Sequence, residues 1–145
     1  MALCDCLRFV TDADCQIEQL PWGPHEWLCR PGLTEARDLQ VVRVRMPPGR
    51  CHAFHRHPEF EEVLYVLEGQ VEQFVDREKR VLRAGELAHI PKDTVHGSYN
   101  TFRAPCTFLA ILSPASCKGP PLIDVAHEEP WRSLAPLPPP SAPAP

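Results

Sequence analysis

The sequence predicts an all-β protein, and two features of residues 39–114 support this fold class. The segment is divided into short runs rich in β-branched and aromatic residues, such as LQVVRVRM, EVLYVLEG and CTFLAILS. Glycine, proline, aspartate and asparagine separate the runs, as expected for turns between strands. Short strands at such close spacing predict a sandwich or a barrel rather than alternating strands and helices. The run QFVDREKRVL predicts a hairpin whose polar tip is residues 76–79.

The size and composition of the chain indicate one globular domain with distinct terminal segments. Its 145 residues, 43% of them hydrophobic and 23% charged, are enough for one core and too few for two ordinary domains. We expect residues 39–114 to form the barrel and residues 1–38 to pack on it as an irregular or edge-strand segment. Residues 115–134 form a C-terminal extension with a short strand or a single helical turn. The proline-rich residues 135–145 are predicted to be disordered.

Charge, hydropathy and cysteine usage exclude several classes of partner and site. The formal net charge of -4 comes without any basic cluster, so we expect no nucleic-acid partner. The absence of a long apolar run and of a basic leader predicts a cytoplasmic protein without a membrane partner. The seven cysteines are irregularly spaced, which favours reduced thiols over a disulfide framework or a zinc ribbon. We expect Cys51 and Cys106 to fill the core.

The stretch FHRHPEFEEVLYVLEG contains candidate metal ligands. On a strand, His55 and His57 point to the same side because residues two apart share a face. Either Glu61 or Glu62 can face them from the next strand, but not both. His96, in the later run VHGSYN, is a candidate fourth ligand. Imidazoles with a carboxylate suit a first-row divalent metal.

These two stretches resemble the two sequence motifs of the cupin superfamily. The first motif is matched at every interval by Gly49, His55, His57, Glu62 and Gly69, and the distance to Gly69 selects Glu62 over Glu61. The second motif is matched by Gly85, Pro91, His96 and Asn100. Asp93 stands where the family usually has glycine, and aspartate tolerates a positive φ better than most residues.

The resemblance implies a double-stranded β-helix, which is a jelly-roll barrel with both motifs at one mouth. It also implies one divalent transition metal per chain, namely iron, manganese, nickel or zinc. His55, His57, Glu62 and His96 would bind it and leave two of six positions for water, oxygen or a chelating substrate. The competing interpretation is a cupin that has kept the fold and lost the metal. Small cupins commonly pair through sheet edges, so the resemblance also implies a homodimer.

The residues around the ligands restrict the chemistry that the resemblance allows. Some lyase-type cupins place a tyrosine base two residues after the ligand glutamate, where this chain has Leu64. Thiol dioxygenase cupins usually lack the ligand glutamate, so Glu62 argues against that activity. Strand parity gives further candidates for lining the pocket, namely Leu64, Val66, Ser98 and Asn100. One of Gln73 and Phe74 must also face inward, parity does not say which, and the polar Gln73 is the possible pocket residue. For Ser98 and Asn100 we favour a role in satisfying buried backbone or orienting a ligand histidine.

The remaining histidines are predicted to have no part in the site. His52 is opposite in parity to His55 and is expected at the surface or at an interface. His89 is expected to be structural, and His25 and His127 to be solvated.

The tryptophans allow two interpretations. Trp22, Trp27 and Trp131 either stack on a ligand or, as we favour, anchor the terminal segments or a dimer interface.

Two functions from different classes are consistent with these residues. The first is a metal-dependent enzyme acting on a small chelating substrate. Iron would suit a dioxygenase, and manganese, nickel or zinc would suit an isomerase, a decarboxylase or a hydrolytic step. The second is a non-catalytic metal-bearing module that binds a sugar or an organic acid. No dedicated catalytic base is identifiable from the sequence.

Overall fold

A computed structural model describes residues 5–139 of the chain. Eleven strands and one short helix follow one another in the described part. The strands are β1 Gln16–Leu20, β2 Gly23–Cys29, β3 Gln40–Met46, β4 Cys51–Arg56, β5 Glu61–Glu68, β6 Gln70–Val75, β7 Glu78–Arg83, β8 Leu87–Ile90, β9 His96–Tyr99, β10 Cys106–Ser113 and β11 Ile123–Asp124, and helix α1 is Trp131–Leu134.

The strands form two antiparallel sheets that pack face to face, and the all-β prediction is confirmed. The first sheet has six strands in the order β1-β2-β3-β10-β5-β8, and the second has five in the order β11-β4-β9-β6-β7. Strands that are distant in sequence are neighbours in both sheets, as a jelly roll requires. The predicted hairpin is β6–β7, in which Val75 pairs with Glu78 and the turn is only Asp76–Arg77.

The main core lies on the inner face of the six-stranded sheet. In the middle strands, Val42 and Val44 of β3 are opposite Ala110 and Phe108 of β10, and all four are buried. Leu64 of β5 pairs with Ala110 from the other side. Burial of each large apolar side chain contributes about 1.5–3 kcal/mol to folding. Alternation along β3 places Arg43 on the opposite face of the same sheet, where it binds Glu26. The six-stranded sheet therefore has a buried apolar inner face and a charged outer face.

The N-terminal segment extends the first sheet. Of the irregular and edge-strand alternatives, the structure has the edge strand, because β1 and β2 form a hairpin and β2 pairs with β3. Outside this pairing, Glu26 on β2 binds Arg43 and Arg45 on β3 across the outer face of the sheet. The hairpin β1–β2 is therefore joined to the barrel by backbone and side-chain bonds.

The C-terminal extension contains both predicted elements. β11 pairs with β4, and the Trp131 ring in α1 lies 5.2 Å from that of Phe54. Ala135 and Leu137 pack against the same cluster, and the Cys51 thiol donates to the carbonyl of Pro138 at 3.5 Å. The predicted disorder of residues 135–145 therefore begins too early, because apolar side chains among the prolines find buried partners. Positions 140–145 lie outside the described residues.

The cysteines follow the sequence expectation at every described position but one. Cys51 and Cys106 are buried in the core, and burial raises the pKa of each thiol to about 11. Cys15, Cys29 and Cys117 are also free thiols. Cys6 forms a disulfide, so the expectation of reduced thiols throughout is wrong there.

Candidate metal centre

Four side chains from three strands meet at one end of the barrel. His55 on β4 is opposite His96 on β9, His57 follows the end of β4, and Glu62 lies near the start of β5. One ligand atom from each of the four lies within 4.8 Å of the others. Glu62 is 6% exposed, whereas the Glu61 side chain is 58% exposed and binds His89 at the surface. The structure therefore has Glu62 in the cluster and Glu61 outside it, as the motif spacing to Gly69 predicts.

The protein backbone holds all three imidazoles in one tautomer. The Nδ1 atom of His55 is 2.7 Å from the carbonyl oxygen of Ala53, that of His96 is 2.9 Å from Thr94, and that of His57 is 2.8 Å from Pro121. A carbonyl oxygen only accepts hydrogen bonds, so each Nδ1 carries the proton and donates. Each Nε2 is left with a lone pair directed at the cluster, which is the state in which histidine binds a metal.

Three atoms at the centre of the cluster are buried without a hydrogen-bond partner among residues 5–139. They are Nε2 of His55, Nε2 of His96 and Oε2 of Glu62. His96 Nε2 lies 2.9 Å and His57 Nε2 3.3 Å from this Glu62 oxygen. Leaving buried polar atoms unpaired is costly, and a cation between them would satisfy all of them. Three nitrogen donors and one carboxylate oxygen fit a first-row divalent ion.

The charges of the cluster suit a cation. Burial alone would raise the pKa of Glu62, but the neighbouring His96 and His57 outweigh it and lower that pKa below its usual range. Burial also acts to lower the pKa of His57, but the adjacent Glu62 carboxylate outweighs this and raises the pKa. Burial holds the pKa of His55 well below its ordinary value. Glu62 is consequently ionised at neutral pH, and His55 is neutral.

His52 lies against the cluster, contrary to the surface position predicted for it. Its ring stacks on His55 with centroids 3.7 Å apart and planes inclined by 12°. On its other side it stacks on Trp22, with centroids 4.0 Å apart. The reason is a register shift between His52 and His55 in the pairing of β4 with β9, which breaks the simple alternation of faces.

His25 is also part of the site rather than a solvated residue as predicted. The Trp22 indole donates from Nε1 to His25 Nε2 at 2.8 Å. Burial lowers the pKa of His25 to about 4, against the opposing effects of Glu18 and Glu62. An indole nitrogen only donates, so the neutral His25 ring carries its proton on Nδ1.

A cavity of about 400 Å³ opens above the four candidate ligands. Its walls are mostly apolar and come from both sheets and from the loop before β11. The apolar lining comprises Leu20, Trp22, Trp27, Val42, Val44, Phe60, Leu64, Phe108, Ala110, Leu112, Ala115, Pro121 and Leu122. The volume is in the range of small-molecule pockets. The cavity and the ligand cluster form one site.

Two of the five residues predicted to line the pocket do so. Leu64 and Ser98 line this cavity, whereas Val66 is fully buried in the core. Gln73 lies behind Ser98, and its Oε1 accepts a hydrogen bond from the Ser98 hydroxyl at 2.6 Å. Gln73 also borders a separate groove. Asn100 is fully buried: its amide donates to the carbonyls of Met46 and Ala104, and its oxygen accepts from Phe102. Asn100 therefore satisfies backbone groups around this turn, which is one of the two roles that we favoured for it.

The sequence analysis missed most of the cavity wall contributed by β1–β2. Glu18, Leu20, Trp22, His25 and Trp27 all line the cavity. The signal was the spacing of His25 and Trp27, which are two residues apart on one strand and share a face. Among the tryptophans, Trp22 and Trp27 border the site, and Trp131 packs on Phe54 as a structural anchor. His127 is exposed, as expected.

Comparison with known proteins relates this fold and site to one family. Residues 42–112 match the protein family described as "Cupin domain". A pectin degradation protein, KdgF of Dickeya dadantii, is 28% identical over 81 residues, which are 55% of this chain and 74% of that one. KdgF from Halomonas sp. superposes with a TM-score of 0.66 at 22% identity, covering 76% of this chain and 96% of that one. An RmlC-like cupin from Shewanella frigidimarina gives a TM-score of 0.65 at 24% identity, covering 75% and 92%. The two structural likenesses show a shared fold.

Within residues 5–139, no helix has the length and apolar character needed to cross a membrane.

Proposed function

Because the chain belongs to the cupin superfamily, we propose that it is a metal-dependent enzyme acting on a small chelating organic molecule. The candidate ligands are His55, His57, Glu62 and His96. The observation that carries the proposal is the set of buried, unpartnered atoms on three of these residues, which converge beneath an apolar cavity. A similarity to a protein named for pectin degradation supports an enzymatic role over a purely structural one.

The protein side chains supply a rigid and largely dry site. A divalent ion bound there would act as a Lewis acid on a chelating substrate. The carbonyls of Ala53, Thr94 and Pro121 hold the imidazoles in the tautomer that presents Nε2, so little reorganisation accompanies binding. The apolar walls exclude water from the polar cluster and strengthen its electrostatic interactions. Reactions of the dioxygenase, isomerase and decarboxylase types are all consistent with this proposal.

Metal analysis of two neighbouring glutamate variants tests the site. We expect purified protein to hold about one divalent ion per chain, the Glu62→Gln variant to lose most of it, and Glu61→Gln to retain it. Glu61 is the matched control because it adjoins Glu62 but is exposed and binds His89. Protein that contains no metal after growth in metal-replete medium, and that cannot be reconstituted, would refute the proposal.

A substrate screen on metal-loaded protein tests whether the site is catalytic. Catechols, flavonols, keto acids and uronates cover the main classes of chelating substrate, and oxygen consumption together with product analysis detects oxidative and non-oxidative turnover. We expect turnover of at least one class, lost in Glu62→Gln and kept in Glu61→Gln. Tight binding of one compound without any turnover would instead favour the non-catalytic binding module.

We also propose that the protein forms a homodimer. The six-stranded sheet ends at β1, and an edge strand presents unpaired backbone groups that can pair with a second copy. Ile17 on this strand is 60% exposed, so its apolar side chain is available for contact with a second copy. Light scattering is expected to give twice the mass of the chain for the wild type and a lower mass for Ile17→Lys. A monomeric wild type would contradict this.

A further inference from the structure

The hairpin β1–β2 supplies one part of the cavity wall beyond the candidate metal ligands. Five side chains of this hairpin line the cavity: Glu18, Leu20, Trp22, His25 and Trp27. All five precede residues 42–112, the part of the chain that matches the cupin domain. One part of the wall that would contact the body of a bound ligand is thus contributed by a segment outside the matched domain.

Strand alternation keeps basic side chains out of the described cavity lining. On β3, Val42 and Val44 face the cavity, while Arg43 and Arg45 are on the other side and bind Glu26. The described lining residues include no lysine or arginine, and the carboxylates among them are Glu18 and Glu62. His25 adds no positive charge at neutral pH, because burial lowers its pKa to about 4.

The charge of the loaded site sets a limit on its ligand. A divalent cation with the Glu62 carboxylate leaves one net positive charge, which the single negative charge of a chelating oxygen pair would balance. Any second anionic group would lie among neutral side chains and near Glu18, which is exposed at the cavity mouth. A carboxylate in such surroundings loses hydration without gaining a partner, which is unfavourable.

We propose that the site selects chelators that carry their one negative charge on the chelating oxygens and have an uncharged, apolar body, and that hairpin β1–β2 imposes this selection. The inference rests on the proposed metal site. Trp22 and Trp27 would contact the body of the ligand. Dianionic acids, in which the body itself is charged, would be excluded by the same wall.

Calorimetric titration of the full-length, zinc-loaded protein with two matched chelators tests the selection. Kojic acid and comenic acid share a hydroxypyranone ring and its chelating oxygen pair, but kojic acid carries a neutral hydroxymethyl group where comenic acid carries a carboxylate. Zinc is redox-inert, so binding is measured without oxidative turnover, and product analysis of the titrated mixture checks for non-oxidative turnover. After correction for their affinities for zinc in water, we expect kojic acid to bind about tenfold or more tightly than comenic acid. Equal affinities, or a preference for comenic acid, would overturn the inference.

A charge introduced on the hairpin tests whether this segment imposes the selection. Leu20 is half-buried at the end of β1, so a longer side chain there can be accommodated at the rim of the cavity. Leu20→Arg should tighten comenic acid binding about tenfold and change kojic acid binding little, whereas the uncharged control Leu20→Met should keep the wild-type ratio. An unchanged ratio in Leu20→Arg would overturn the role of the hairpin. Failure to load zinc at all would instead refute the proposed metal site, so the two failures are distinguishable.

Discussion

The His52 ring lies parallel to the His55 ring at 3.7 Å, which places a second imidazole directly behind a candidate metal ligand. Trp22 covers the far side of His52, so the three rings form a continuous stack. The only other constraint on the His55 ring among the described hydrogen bonds is the one from its Nδ1 to Ala53. The stack therefore joins hairpin β1–β2 to the candidate ligand His55, and we propose that His52 positions that ring.

Removing the stacked ring should weaken metal binding. We expect His52→Leu to lower affinity for zinc about tenfold, since residues that orient a ligand typically contribute that much. Competition with a chromophoric chelator measures the affinity. His89→Leu is the control, because it removes a half-exposed histidine bound to Glu61 and away from the cluster. Wild-type affinity in His52→Leu would mean that the bond to Ala53 alone holds His55 in place.

Two glycines with the same backbone conformation should differ in how they tolerate alanine. Gly49 and Gly69 both have φ of 76°, and the strain of a side chain there costs about 1–2 kcal/mol at either position. A Cβ at Gly69 would lie 2.5 Å from the carbonyl oxygen of Pro105 and 3.0 Å from the Cα of Cys106, whereas at Gly49 it would meet nothing within 4 Å. We expect Gly69→Ala to lose about 2 kcal/mol more unfolding free energy than Gly49→Ala in urea denaturation. Equal losses would contradict the steric explanation.

The candidate ligands were predictable because they depend on local rules. Strand parity places His55 and His57 on one side, and motif spacing selects Glu62 and adds His96. The structure brings these four side chains together. Parity also separates buried Glu62 from exposed Glu61, because β5 contains no irregularity at that point.

The wall of the cavity was not predictable, because it depends on non-local pairing and on a bulge. Parity misplaced His52, since the register shift in β4 has no signal in the sequence. His25 and Trp27 are on a strand whose partner, β3, could not be chosen from local residues alone. The same limitation applies to Leu137, whose burial depends on contacts with β4 and its neighbours.

Zinc binding should stabilise the folded protein, and this stabilisation should depend on His57 as a ligand. A ligand that binds only the folded state at a hundred times its dissociation constant stabilises that state by about 2.7 kcal/mol. We expect zinc to raise the melting temperature of metal-free wild-type protein and of the exposed-site control His127→Ala, and to have little effect on His57→Ala. Differential scanning fluorimetry measures all three. A full zinc-induced shift in His57→Ala would exclude His57 as a ligand.

His25 should make the protein sensitive to acid. Burial lowers its pKa from 6.5 to about 4 in the folded state, with Glu18 and Glu62 opposing the shift. Between these values the unfolded chain binds the proton and the folded protein does not, so the free energy of unfolding falls as the pH is lowered from 6.5 to 4. The loss attributable to this residue is at most about 3 kcal/mol.

Replacing His25 by phenylalanine removes this proton and should flatten the acid limb of the stability curve. Urea denaturation at several pH values, with a chelator present so that metal release does not contribute, gives the slopes for both proteins. All other titratable groups are common to the two proteins, so the difference between the two slopes isolates His25. We expect His25→Phe to be destabilised relative to the wild type near neutral pH, because Trp22 loses its acceptor, and to approach or exceed wild-type stability near pH 4. Parallel stability curves for the two proteins would show that His25 keeps its ordinary pKa in the folded state.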